Sequence, residues 1–153
     1  VNAIAAASAR FPAMTPAAVE QVRALESQMR EGPQAELHTA HLIHGGMYAR
    51  TIHIPASAVL TGALITRATV LIVNGACSVF VGGETLELRG YHVIPASAGR
   101  KQAFIAHADT DLTMLFPTRA TCVADAEAEF TDEAHLLLSR ENPSGNSIII
   151  TGE

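Results

Sequence analysis

The sequence predicts an all-β fold of antiparallel strands, a sandwich, jelly roll or barrel, with an N-terminal amphipathic helix and a C-terminal helix/strand extension. Three observations carry this. From Glu36 to about Phe116 the chain is a succession of short segments rich in Val, Ile, Leu and Thr. Gly, Pro, Asn and Asp punctuate them at roughly ten-residue spacing. No helical period intervenes, which leaves antiparallel pairing as the way to join them. The expected organisation is a single domain in three parts: residues 1–34 an arm and helix, 35–118 the β barrel, 119–153 an extension.

The opening VNAIAAASARF is small and apolar. It lacks a basic stretch before its short apolar run, so a docking or flexible arm is expected rather than a signal peptide. Thr15-Pro16 then supplies a helix N-cap followed by proline at the first helical position. In the PAAVEQVRALESQMR that follows, Val19, Val22, Leu25 and Met29 form an apolar stripe, and Glu20, Arg23, Glu26 and Arg30 the polar face. Gly32-Pro33 ends this helix of about four turns. Its apolar face must pack on its own sheet or on a neighbouring subunit.

Nine strands are expected, near 36–43, 47–54, 59–65, 68–74, 76–81, 84–88, 91–95, 101–106 and 111–116. The turns between them fall at Gly45-Gly46, Pro55-Ala56-Ser57, Asn74-Gly75, Gly82-Gly83, Gly90 and Asp109-Thr110. After Thr118 the segment AEAEFTDEAHLLLSR predicts a second helix, with Thr131 as a cap before Leu136 to Leu138. The β-branched SIIIT, Ser147 to Thr151, follows an Asn-Pro-Ser-Gly-Asn hinge. A strand there closes its own sheet or adds to a partner's edge.

Of the 153 residues 48% are hydrophobic and 16% charged, a composition that folds rather than one that stays disordered. No apolar run approaches the roughly 18 residues needed to cross a bilayer, so a soluble chain with no membrane partner is expected. The formal charge of -5 comes without any Lys/Arg cluster, which argues against nucleic acid as a partner. Cys77 and Cys122 form no CxxC and read as buried thiols in a reducing compartment.

Seven histidines stand out: His38, His41, His44, His53, His92, His107 and His135. In HTAHLIH, read as a strand, His38 and His44 face one side and His41 the other, so this segment alone makes no three-ligand site. A site pooled from His41, His53, His92 and His107 would need convergence in space, with a carboxylate to balance charge. No carboxylate shares their segments at ligand spacing. No nucleophile elbow, P-loop or dinucleotide fingerprint occurs. Glu84 and Glu87, in and after the turn before ETLEL, read as solvated carboxylates without partners that would tune them.

The stretches IPASAVLTG, VLIVNGACSVFVGGETLEL and GYHVIPASAG, in this order from Pro55, resemble the cupin, or RmlC-like jelly-roll, superfamily. RALESQM, GGMYARTIHIPASAVLTGALI and AGRKQAFIAHADTDLTMLFPT resemble more narrowly the small cupin-like proteins of tailed phages and prophages, over roughly residues 19–118. The resemblance implies a jelly-roll barrel, and in the family a metal held by two His and a Glu, then a further His. Where relatives carry an HKTEH-like string this chain reads ITRAT, Ile65 to Thr69. Pro95 and Gly99 of the second motif persist, but the position of its last histidine falls near Gln102, and His107 is offset. Thr and Ile cannot replace imidazole as ligands. The expectation is therefore a barrel without metal, cofactor or catalytic residues, with Ile65, Val70, Ile72 and Val79 filling its interior.

Three functions follow as expectations. The first is a non-catalytic structural or interaction protein: a homo-oligomer, or a virion component such as a capsid cement or decoration protein contacting phage capsid protein, found in the virion or host cytoplasm. Its contacts would be strand addition by Ser147–Thr151 and packing of the Val19, Val22, Leu25 and Met29 face. The second is a metal-dependent cupin enzyme, a dioxygenase or isomerase, using the remaining histidines. The third is a small-molecule-binding barrel, for which no Trp, two Tyr and five Phe offer few stacking surfaces.

Overall fold

The computed structural model describes residues 9–153; most of the N-terminal arm, residues 1–8, lies outside the described residues. Helix α1 (Pro16–Arg30) begins as expected, with Thr15 Oγ1 accepting from the Ala18 N–H at 3.1 Å. Eight strands follow in one curled sheet: β1 (His38–His44), β2 (Met47–Ile54), β3 (Val59–Thr61), β4 (Thr69–Phe80), β5 (Thr85–Ala96), β6 (Ala103–Ala106), β7 (Thr110–Pro117) and β8 (Asn146–Ile150). Helix α2 (Val123–Phe130), a 3-10 turn at Ala134–Leu136 and the one-turn α3 (Leu138–Glu141) come between β7 and β8. No helix among the described residues is long and apolar enough to cross a membrane.

The strand order is β3-β6-β4-β7-β2-β1-β8, with β5 on the other edge of β4. All pairings are antiparallel except β1 with β8, which is parallel. The result is the curled, jelly-roll-like half-barrel that the strand pattern predicts. Its inward face carries Tyr48 and Ile54 of β2, Leu71 and Val73 of β4, and Leu112 and Phe116 of β7, all buried in one continuous core.

Four expectations about elements are corrected. Asn74-Gly75 and Gly90 are not turns: the four segments around them merge into two twelve-residue strands, with Gly75 directly opposite Gly90. The glycines kink the pair instead of ending it, at φ 149° and 85°. That kink lets β4 serve two neighbours on one edge, β7 against Val70–Asn74 and β6 against Cys77–Phe80. The β6–β7 connection crosses at the kink, where Thr110 Oγ1 and the Ala76 backbone hydrogen-bond at 3.2 Å. A Cβ on Gly75 would lie 2.5 Å from Thr110 Oγ1 and 2.7 Å from the Asp109 carbonyl oxygen.

The interior phase of β4 is the second correction. Thr69, Leu71 and Val73 are buried, whereas Val70 is 44% exposed and Ile72 only half-buried. Val79 is buried and Ile65 packs against the core, as expected. Third, α1 turns Ala18 and Val22 to the barrel while Leu25 stays 36% exposed. The stripe is narrower because Glu26 also points inward, accepting from Lys101 Nζ at 2.9 Å and Thr61 Oγ1 at 3.1 Å. Fourth, the second helix is split. Thr131 is extended and its Oγ1 accepts from the Glu133 N–H, so the longer helix precedes it, and a 3-10 turn and the one-turn α3 follow.

Strand β8 docks on β1 of its own chain, Thr39 opposite Asn146 through Ile43 opposite Ile150. The segment thus closes its own sheet, one of the two expected outcomes, through one edge of the strand, and among the described residues the other edge is unpaired. What holds this terminal segment is polar. Arg50, inward on β2, donates to Glu127 Oε2 of α2 at 2.7 Å and to Ser139 Oγ at 3.2 Å. Ser139 Oγ donates to Glu127 Oε2 at 2.6 Å, and Arg140 Nε to Glu127 Oε1 at 2.9 Å. Arg50 is also within 3.5 Å of the Tyr48 hydroxyl, which meets His41 Nδ1 at 2.7 Å; His41 Nε2 meets Asn146 Oδ1 at 3.0 Å, and Asn146 Nδ2 donates to the Ser139 carbonyl at 2.7 Å.

Because Asn146 Oδ1 only accepts, His41 carries its proton on Nε2, and Tyr48 O–H donates to Nδ1. The ring of bonds is closed, with every donor matched to an acceptor. Burial lowers the His41 pKa, the Asn146 bond opposing it, which keeps the imidazole in the neutral form this ring requires. For Glu127 burial works against ionisation, but the hydrogen bonds from Ser139 and Arg140 and the charge of Arg50 outweigh it and hold the carboxyl below its ordinary value.

Two outcomes test this construction. Gly75→Ala is expected to destabilise the fold by roughly 2–4 kcal/mol, strain at positive φ adding to the clash with the crossing turn; urea unfolding measures it. Glu127→Gln leaves Arg50 buried and unpaired and should remove about 3–5 kcal/mol at neutral pH. Since Glu127 titrates lower folded than unfolded, its stabilisation is present above its ordinary value of 4.5 and lost as pH falls through the folded value. The gap between wild type and Glu127→Gln should therefore narrow from pH 7 to pH 3 in parallel unfolding curves.

Candidate functional site

Inside the half-barrel, between the sheet, the C-terminal end of α1 and the α2–α3 segment, lies a cavity of about 360 Å³. This falls in the size range of small-molecule sites. Its wall is built from the inward phases of the strands: Ile52, Leu71, Phe104, Leu112 and Met114 supply apolar surface. Polar groups enter at four inward positions, Thr39, Arg50, Lys101 and Gln102, with Arg100 beside them. The rim is formed by Met29 and Arg30 of α1, by residues 33–35 and by Leu136, Leu138 and Glu141.

The interior cations differ in how they are neutralised. Arg50 is paired with Glu127, and Lys101 Nζ with Glu26 at 2.9 Å and the Gly62 carbonyl at 2.8 Å. Arg100, 1% exposed, makes no ion pair among the described residues. Its Nη1 donates to the carbonyls of Ser97 at 2.7 Å and Arg67 at 3.4 Å, and its Nη2 to Thr69 Oγ1 at 2.7 Å. Burial without a counter-charge pushes its pKa down to about 10, so it is still a cation at neutral pH. Among the described residues Arg100 Nε and Gln102 Nε2 have no hydrogen-bond partner.

The ITRAT stretch has a structural role here. Ile65 pairs with Arg100 across an isolated bridge; the Thr66 N–H and hydroxyl both donate to the Phe130 carbonyl at the end of α2. Arg67 stacks over Phe116, its guanidinium carbon 4.3 Å from the ring centroid. Thr69 receives the Arg100 hydrogen bond. The stretch thus fastens the plug and orients the buried guanidinium.

His41, His53, His92 and His107 do not converge. His41 is committed to the Tyr48–Asn146 ring. His53 Nδ1 pairs with Asp111 Oδ1 at 2.5 Å on the outer face, stacked on His38, whose Nε2 meets Ser147 Oγ at 2.9 Å. His92 Nε2 donates to the Arg89 carbonyl at 2.7 Å. His107 Nε2 meets Ser78 Oγ at 2.6 Å, and Ser78 lies 2.7 and 2.8 Å from the two oxygens of Glu87. His38 and His44 are exposed and His41 buried, the alternation that the strand reading requires. His135 is exposed on the 3-10 turn.

Glu84 and Glu87 are both exposed, as expected, but Glu87 has partners that its sequence context did not indicate. Its cluster is not a nucleophile relay. Ser78 sits between carboxylate and imidazole and donates to Glu87, so it accepts from His107 Nε2–H and faces no free base lone pair. Cys77 is buried, which raises its thiol pKa to about 11, but Cys122 is exposed, contrary to the expectation of two buried thiols.

The metal implied by the family resemblance does not fit these residues. Among the described residues no three His, Cys, Asp or Glu side chains form a metal-holding group. The cavity lining contains no imidazole, two of its carboxylates, Glu26 and Glu133, are taken by Lys101 and Arg23, and Arg100, without a counter-charge among the described residues, repels a cation. Sequence reading missed Arg50, Arg100 and Lys101. Arg50 left a signal, a charged residue on the apolar phase of YARTIHI between Tyr48 and Ile52. GRKQ carries no period from which its burial could be read.

No family model and no curated protein matches the chain. Among solved structures it is similar to the Schizosaccharomyces pombe Cnp3 cupin domain, at 17% identity over 59% of this chain and 66% of that one, TM-score 0.45. It is also similar to KdgF from Halomonas sp., at 18% identity over 58% and 86%, TM-score 0.47. Salicylate 1,2-dioxygenase from Pseudaminobacter salicylatoxidans matches at 16% identity over 76% of this chain, TM-score 0.48, and the match takes in 35% of that enzyme's length.

Proposed function

We propose that this chain is a non-catalytic, small-molecule-binding barrel. The observation that supports it is the cavity: an interior of about 360 Å³ with an aliphatic wall and a few inward polar groups, reached past the end of α1. The imidazoles of His41, His53, His92 and His107 and the Ser78–Glu87 pair make their own hydrogen bonds, and none of them lines that interior. Binding therefore relies on shape and on Arg50, Arg100, Lys101 and Gln102, not on a bond-making group. The test is whether neutral apolar probes enter. Xenon shifts in methyl NMR spectra are expected at Leu71, Leu112 and Met114, and Leu60→Trp, placed in the lining, should abolish them. Unperturbed methyls would refute an accessible cavity.

A second reading is assembly, as a homo-oligomer or as a virion component contacting phage capsid protein, in the virion or host cytoplasm. Besides the sequence resemblance, one feature favours it. Among the described residues β8 is an edge strand with its outer side unpaired, and Ile148, Ile149 and Ile150 are 53%, 62% and 45% exposed. Such an edge pairs readily with another chain. On this reading wild type scatters light as a multimer at micromolar concentration and Ile149→Lys as a monomer; a monomeric wild type counts against self-assembly.

A further inference from the structure

We propose that the cavity takes an organic anion, a small carboxylic acid whose carboxylate sits on the Nε edge of Arg100 beside Gln102 and whose apolar body lies on Leu71, Leu112 and Met114. This rests on the binding reading above and names its ligand class. The first ground is the unused edge of the guanidinium. Arg offers five N–H donors, and a carboxylate is bound side-on by Nε and the neighbouring Nη2. Among the described residues Nη1 is occupied by two carbonyls, Nε has no partner, and Nη2 has Thr69 and, at 3.8 Å, the weakly accepting thioether of Met114.

The second ground is Gln102. Two residues along the same buried segment, 5% exposed, it also lines the cavity and leaves its amide Nε2 unpartnered. Buried donors without acceptors are rare in native proteins, and two on residues that line one cavity point to an acceptor that arrives from outside the chain. The third ground is charge. Arg50 and Lys101 have their own carboxylates and Arg100 does not, so one negative charge completes the interior. A dianion would outnumber the one interior cation without an ion pair among the described residues, and an inorganic ion would leave the aliphatic wall empty.

The experiment uses the full chain and calorimetric titration with benzoate, hexanoate, benzamide, hexanamide and inorganic phosphate in chloride-free buffer, together with the 15N resonance of Arg100 Nε. The carboxylates are expected to bind roughly ten- to a hundredfold more tightly than the isosteric amides, the range of a charge-assisted hydrogen bond, and to move the Arg100 Nε signal. Gln102→Leu, which breaks no existing side-chain hydrogen bond, should weaken the carboxylates several-fold and leave the amides unchanged. Amides that bind as tightly as carboxylates would overturn the anion assignment while leaving a binding barrel. Phosphate matching benzoate would overturn the organic part of it. Absence of binding by every organic probe, with xenon also excluded, would remove the binding reading itself.

Discussion

The buried ion pair between Arg50 and Glu127 is the constraint on which the rest of this molecule depends. A guanidinium on the inward phase of a barrel strand is tolerable only if a charge meets it, and the carboxylate comes from a helix placed after the last barrel strand but one. From that single requirement α2 must lie over the open side of the sheet. Ser139 and Arg140 then approach Glu127, and Asn146 closes the ring through His41 and Tyr48. The polar ring gives little net stability for its size, but it admits one arrangement, and that arrangement leaves a lined space between plug and wall.

The contrast between Arg50 and Arg100 gives that space its character. Both are interior arginines with backbone or hydroxyl acceptors nearby. One has been given a carboxylate by its own chain and the other has not. An internal carboxylate at the second position would have made an inert, self-satisfied core like that around Glu127. Its absence among the described residues leaves the interior one charge short, and the proposed binding role rests on this asymmetry more than on the volume.

Much of the architecture was legible from the residues, because it rests on local rules. Thr15-Pro16 starts a helix through capping geometry alone, and the parity of His38, His41 and His44 follows from the two-residue period of any strand. What failed depended on distant partners. Asn74-Gly75 has the chemistry of a hairpin turn, yet its glycine serves a kink required by Thr110, thirty-five positions later, crossing overhead. Val70 and Ile72 seemed natural core residues, but Arg100 claims Thr69 and so fixes the opposite phase inward. The candidate site was nearly invisible for the same reason: whether Gln102 is a donor without an acceptor depends on every neighbour it has.

The polar ring has a kinetic side as well. His41 and Asn146 stand 105 residues apart, and the Glu127 carboxylate reaches Arg50 across 77. During vectorial synthesis the seven leading strands emerge before either partner, so Arg50 first faces an open, wetted trough. The lumen becomes a compartment only when the trailing segment latches, a step whose chain-closure cost grows slowly, by about 0.6 kcal/mol per doubling of loop length. The latch is thus both the last part to form and the gatepost of the chamber: whatever occupies the interior either passes the rim after closure or is enclosed as the carboxylate swings home.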